Sequence, residues 1–147
     1  MASEDLYQDI IDDKESRPYP EKGYIPLIQI SPKAGILILG QAPGLQAQTA
    51  MKAFQDTSGK RLRAWMGVDE ETFHSEKISV LPMDFFCPGR GKSGDLSPRK
   101  GFAGKRHPQY LRLMPDIRLV LSIGNDAIGH YLRGKTKENL ITTVRNC

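Results

Sequence analysis

The apolar run Ile36-Leu37-Ile38-Leu39 leads directly into Gly40-Gln41-Ala42-Pro43-Gly44. Pro43 fixes one φ angle, and Gly40 and Gly44 admit conformations that a Cβ forbids, so the segment reads as a tight turn behind a buried strand. Ligands of open α/β sheets sit at the carboxyl ends of strands, where such turns lie. A turn of this kind lets backbone amides approach a substrate closely, and Gln41 can orient a water although it cannot take a proton at neutral pH.

Other residue types with chemical potential are scattered. Three histidines and two cysteines show no metal-ligand spacing, so neither a metal nor a cofactor is expected. His74 lies between acidic residues and reads as a solvent-exposed loop residue, and His130 as a surface or packed histidine. Cys87, behind Phe85-Phe86, reads as a small buried hydrophobe. Gly89-Arg90-Gly91-Lys92-Ser93 lacks the glycine spacing of a phosphate loop before its Lys.

The elements that must position the turn follow from periodicity. Residues 3–14 suit a helix with Ser3 as cap and Leu6, Ile10 and Ile11 on one face, ended by Arg17-Pro18-Tyr19-Pro20. Ile25 to Ile30 reads as extended. Residues 45–57 have partial helical spacing, and Lys60 to Met66 reads as a helix with Leu62, Trp65 and Met66 inward, so Trp65 is expected in the core. Ile78–Leu81 and Leu119–Ile123 read as further strands, separated by a glycine-rich loop over residues 88–104 and a helix from His107 to Leu113 with Pro108 in its first turn. Asp126 to Leu132 reads as a helix closed by Gly134, and another is expected to start at Lys137. Strands alternating with helices predict a parallel sheet covered on both faces, an α/β fold. Residues 1–24 are read as an N-terminal helix and linker, and 25–147 as one α/β domain.

At 147 residues the chain suits a single domain with a sizeable core. No apolar run approaches the ~20 residues of a membrane span, and the acidic start Met1-Ala2-Ser3-Glu4-Asp5 is no signal peptide, so a cytoplasmic monomer is expected. The net charge of +4 is unevenly placed. Residues 1–16 hold Glu4, Asp5, Asp9, Asp12, Asp13 and Glu15 against Lys14. Residues 90–112 hold Arg90, Lys92, Arg99, Lys100, Lys105, Arg106 and Arg112 against Asp95. A basic, glycine-rich loop suits a polyanion such as nucleic acid; a solvated basic surface is the alternative.

In this order the segments resemble the uracil-DNA glycosylase superfamily. Gly40–Gly44 resembles its first active-site motif, and Phe54 with Asp56-Thr57-Ser58-Gly59 the segment carrying a base-stacking aromatic. Arg61–Val68 is similar to the following helix, Ile78–Gly89 to the second strand and its loop, and Leu119–Asn125 to the third strand. The resemblance implies a three-layer α/β/α fold and hydrolysis of the N-glycosidic bond of uracil in DNA during base-excision repair, on a base flipped out of the stack. It implies Gln41 and Ala42 at the reaction centre. It places Gly40, Pro43, Gly44, Phe54, Ser58 and Gly59 around the base, with Asp84 as a polar substitute for the usual Asn. Lys60, Arg61, Arg90, Lys92 and Arg99 would face DNA.

Three departures qualify what the resemblance implies. Ala42 stands where one branch has a water-activating Asp, and the four cysteines of the iron–sulfur branch are absent. A second motif with His is expected downstream of the third strand; His107-Pro108 precedes that strand, so a chain lacking its last strand and helix is expected. A DNA-binding relative without catalysis, and a small-molecule or nucleotide-binding α/β enzyme, stay open as alternatives.

Overall fold

The computed structural model of the chain describes residues 2–131. At its centre lies β1 (Ile36–Leu39), flanked in parallel by β2 (Ile78–Val80) and β5 (Leu119–Ser122), in the order β2-β1-β5. Ile36 registers with Ile78 on one side and Leu119 on the other. Because side chains alternate along a strand, β1 serves two layers. Leu37 and Leu39 pack with Ile10, Phe85, Phe102, Tyr110 and Ala127, which brings α1 (Ala2–Asp12), α6 (Phe102–Leu111) and α7 (Asn125–Tyr131) to one face. Ile38 packs with Leu62, Phe73, Ile78 and Val80, which brings α4 (Thr57–Met66) and α5 (Glu70–Phe73) to the other. This is the predicted α/β/α sandwich on a small parallel sheet. None of the described helices is long and apolar enough to cross a membrane.

The connections define where a ligand can sit. From β1 the chain runs through α3 (Leu45–Ala50), α4 and α5 to β2, then crosses β1 to reach β5. The path therefore changes direction at β1, and the loops after β1 and β5 open a crevice at their carboxyl ends. The Gly40–Gly44 turn lies there.

Several local expectations are corrected. Trp65 is not core: it is 79% exposed. Gly59, Leu62 and Met66 stand at i, i+3 and i+7 and form the inward face of α4, leaving Trp65 about 100° away from Met66. The helix starts at Thr57 rather than Lys60, because the Asp56 carboxylate accepts from the Gly59 N–H at 2.8 Å and caps it. Ser3 lies within α1 rather than ahead of it. The prolines after α1 form a short helix, α2 (Pro18–Glu21), since proline's fixed φ suits a first turn. Pro108 sits inside α6, which begins five residues earlier than expected; Gly104, whose carbonyl it leaves without a helix bond, is exposed to water. The glycine-rich loop contains a hairpin, β3 (Arg90–Gly91) with β4 (Gly94–Asp95). Residues 25–30 join the sheet at Gln29, by an isolated antiparallel bridge to Val80. The expected helix close at Leu132 and Gly134, the helix from Lys137 and the position of any second motif lie outside the described residues.

Candidate active site

The continuation of β2 binds the turn by its carbonyls. Leu81 N–H donates to the Ile38 carbonyl at 2.8 Å, Met83 N–H to Gly40 at 2.9 Å and Asp84 N–H to Gln41 at 3.1 Å. The N–H groups of Gln41, Ala42 and Gly44 donate to nothing among the described residues. The turn thus uses its acceptors within the chain, while these donors stay without a partner among the described residues. The glycines act differently from expectation: Gly44 is extended, at φ −75° and ψ 167°, and Gly40 has no positive φ. Gly40 gives the Phe54 ring room: a Cβ there would lie 3.0 Å from Phe54 Cζ, so the ring would have to give by a few tenths of an ångström.

Phe54 closes the opposite side. Its φ of +55° is strained for a non-glycine residue, so neighbours must hold it. Arg63 Nη1 donates to its carbonyl at 2.9 Å, and the ring meets Phe73 edge-on with centroids 5.9 Å apart. A Cβ on Gly59 would lie 1.8 Å from the Phe54 carbonyl oxygen, so only glycine lets α4 approach this closely.

Between turn and ring lies a pocket of about 230 Å³. Gly40, Gln41, Ala42, Pro43, Gly44, Phe54 and Ser58 all line it, and so do Leu27, Val80, Pro82, Ile123 and Asp56. Asp56 is the carboxylate of this lining. One of its oxygens caps α4, and the other has no partner among the described residues. The Asp-Thr-Ser-Gly cap pattern was its signal in the sequence. Gln41 turns its side chain across Gly124, and its Oε1 accepts from Asp126 N–H at 3.4 Å, joining the loops after β1 and β5. Gln48 braces the floor: it donates to the Ile25 carbonyl at 2.9 Å and accepts from Cys87 N–H at 2.8 Å. Nothing in its sequence context marked it.

His107, expected only as part of a misplaced His-Pro pair, buttresses the pocket wall. It is 1% exposed, and its Nε2 lies 2.6 Å from the carbonyl of Pro82. A carbonyl only accepts, so Nε2–H donates, and in the neutral ring Nδ1 accepts from the Tyr131 hydroxyl. Burial pushes its pKa down to about 4, against the Pro82 hydrogen bond. His74 is not a solvent-exposed loop residue. It is half-buried at the end of α5, with Nδ1 2.9 Å from Gln29 Oε1, and burial lowers its pKa, helped by Lys52 and Arg63.

Three expected site residues lie elsewhere. The Asp84 carboxylate is fully buried and does not line the pocket. It accepts from Arg99 Nε at 2.9 Å, Arg99 Nη2 at 3.0 Å, Arg99 N–H at 3.1 Å and Phe86 N–H at 3.3 Å. With both oxygens occupied, it cannot also read a base edge. Arg99 is correspondingly withdrawn from any DNA-facing surface: Nη1 donates to the Glu15 carbonyl and Ser16 Oγ, and its guanidinium lies 4.3 Å from the Phe102 ring centroid. Burial opposes its charge, but Asp84 outweighs burial and raises its pKa. Gly59 is buried beneath Phe54 rather than lining the pocket. Lys60 and Arg61 are exposed on α4, and Arg90 and Lys92 on the hairpin.

The family model described as Uracil DNA glycosylase superfamily matches residues 27–145. The match takes in the turn, Phe54, Asp56 and all three strands of the sheet.

Proposed function

The chain belongs to the Uracil DNA glycosylase superfamily, and from that premise we propose that it hydrolyses the N-glycosidic bond of uracil in DNA. Membership supports a glycosylase-type activity in DNA repair; the substrate and the residue roles are our reading. The observation that carries it is that the turn, whose N–H groups have no partner among the described residues, and Phe54 line one pocket. A flipped base presents a flat π face and carbonyl edges, which an aromatic ring and backbone donors match. Uracil departs as an anion, and fixed donors stabilise that charge most as the bond breaks. The deoxyribose becomes cation-like, and the free oxygen of Asp56 supplies the opposing negative charge. Ala42 offers no base, so water attack relies on this electrostatic pull, with the Gln41 amide N–H groups positioning the water.

Release of uracil from single-stranded and duplex oligonucleotides carrying one uracil, followed by alkaline strand cleavage, tests the reading. Cleavage should depend on uracil and fall on the order of ten- to a hundred-fold in Phe54→Ala, the loss expected of a ~1–3 kcal/mol stacking platform. The absence of a proton acceptor at Ala42 favours one second reading, a DNA-binding member without catalysis. Salt-sensitive binding without any release would select it.

A further inference from the structure

Trp65 is the largest exposed apolar side chain of the molecule's described surface and the chain's one tryptophan. Its placement is not random with respect to the pocket. Ser58, Arg61 and Trp65 stand at i, i+3 and i+7 of α4 and so share one face of the helix. Ser58 lines the pocket, and all three are exposed. The face therefore runs out of the pocket mouth and along the helix, and at 1.5 Å per residue it extends about 10 Å from Ser58 to Trp65.

Its charge is also of one sign. Lys60 and Arg61 are exposed and have no acidic partner among the described residues. Arg63, the next charge along α4, is also basic, and the next acidic residues, Asp69, Glu70 and Glu71, come after Gly67 ends the helix, so the basic stretch stops where α4 stops. A cationic strip leading to an exposed indole combines the two elements that hold single-stranded nucleic acid, phosphate attraction and base stacking.

We infer that the Ser58–Arg61–Trp65 face of α4 is a track for a single-stranded stretch of nucleic acid leaving the pocket, with Trp65 stacking on a base beyond the one in the pocket. The track rests on the nucleic-acid reading of the pocket but not on catalysis. Trp65 takes no part in bond cleavage. It sets how tightly the strand is held and favours single-stranded over duplex DNA, whose bases are already stacked on one another.

Because Trp65 is the one tryptophan, its fluorescence reports on the track alone. Titration of a uracil-free single-stranded oligonucleotide into the protein should quench it, and uracil-free duplex should quench it far less. Trp65→Ala, an exposed change with little effect on folding, should weaken single-strand binding roughly 5- to 150-fold, and Trp65→Phe should restore most of it. Arg61→Ala should lower the slope of log K against log salt by about one phosphate contact. Binding with no quenching, or unchanged affinity in Trp65→Ala, overturns the track even where uracil is released. Quenching without uracil release keeps the track and removes the glycosylase reading. A fluorescence shift that depends on protein concentration without nucleic acid, with a dimer in sedimentation, would assign the face to a second copy of the chain and also overturn the proposal.

Discussion

The Gly40–Gly44 turn and the Asp84–Arg99 clamp are neighbours, joined by the hydrogen bond from Asp84 N–H to the Gln41 carbonyl, yet they use their polar groups in opposite ways. In the clamp every strong group is matched: both Asp84 oxygens and all three guanidinium nitrogens of Arg99 have partners within the chain. In the pocket the donors of the turn and one oxygen of Asp56 have no partner among the described residues. Saturation makes a rigid support, and an unsaturated set beside an aromatic ring makes a place for a ligand. Charge alone separates neither, since Asp84 and Asp56 are both acidic and both near the turn.

The difference is sharpest if the clamp is broken. Arg99→Leu leaves the Asp84 charge buried without its partner, and we expect a loss of about 3–5 kcal/mol in urea unfolding. At temperatures where the variant stays folded, its DNA affinity and salt slope should match the parent. Unchanged stability with weakened DNA binding would return Arg99 to the DNA-facing surface and collapse the contrast.

Acid should reach the pocket wall next. With a folded pKa of about 4 and an ordinary value of 6.5, His107 stays neutral in the folded chain while the unfolded chain takes up a proton. The unfolded state binds more protons between these values, so stability is full above pH 6.5 and falls as pH drops toward 4, by up to about 3 kcal/mol at 1.36 kcal/mol per unit. His74, lowered mainly by burial, adds in the same direction. Asp13 acts below this window. There burial is outweighed by hydrogen bonds from Arg106, Glu15 N–H and Lys105, which hold its pKa at about 2, so its contribution is present above 3.8 and is lost as pH falls toward 2. Urea midpoints at pH 7.5 and pH 5 should therefore differ in the parent and differ markedly less in His107→Gln, the remainder coming from His74. An unaltered pH slope in that variant would remove His107 as the source.

A smaller loss should follow at the close approach under Phe54. In Gly59→Ala the added Cβ meets the Phe54 carbonyl oxygen, so α4 or the Phe54 backbone must shift, at a cost of about 1–3 kcal/mol. Uracil release should fall much more than this cost explains, because the ring leaves its place over Gly40. Release at the parent's rate would show that the strained Phe54 conformation is not needed.

Much of this arrangement was readable in the sequence where one residue type dictates local geometry. The unbroken apolar run Ile36–Leu39 marked the buried central strand, and Gly40–Gly44 marked its turn. The failures were tertiary. Trp65 reads as core on hydrophobicity, but Gly59 sets which face of α4 comes inward, and glycine has no hydropathy signal to reveal that. Asp84 and Arg99 read as ligand groups because their mutual pairing spans a loop whose path periodicity does not describe. Gly40 reads as a turn glycine from its type alone, whereas what bears on it is the Phe54 ring across the chain and not its own φ.

Asp56 offers the finest test, because its two oxygens divide the roles that clamp and pocket keep apart. One oxygen caps α4 through Gly59 N–H, the other has no partner among the described residues, and Asp56 lines the pocket. Asparagine is as good an N-cap as aspartate, whereas alanine costs about 1 kcal/mol. Asp56→Asn should therefore leave the urea midpoint near the parent's, and Asp56→Ala should lower it by that small amount. Uracil release should drop on the order of a hundred-fold in both, since each removes the negative charge beside the developing sugar cation. If Asp56→Asn retains full activity, the carboxylate is a cap alone, and the pocket is as internally satisfied at this position as the clamp.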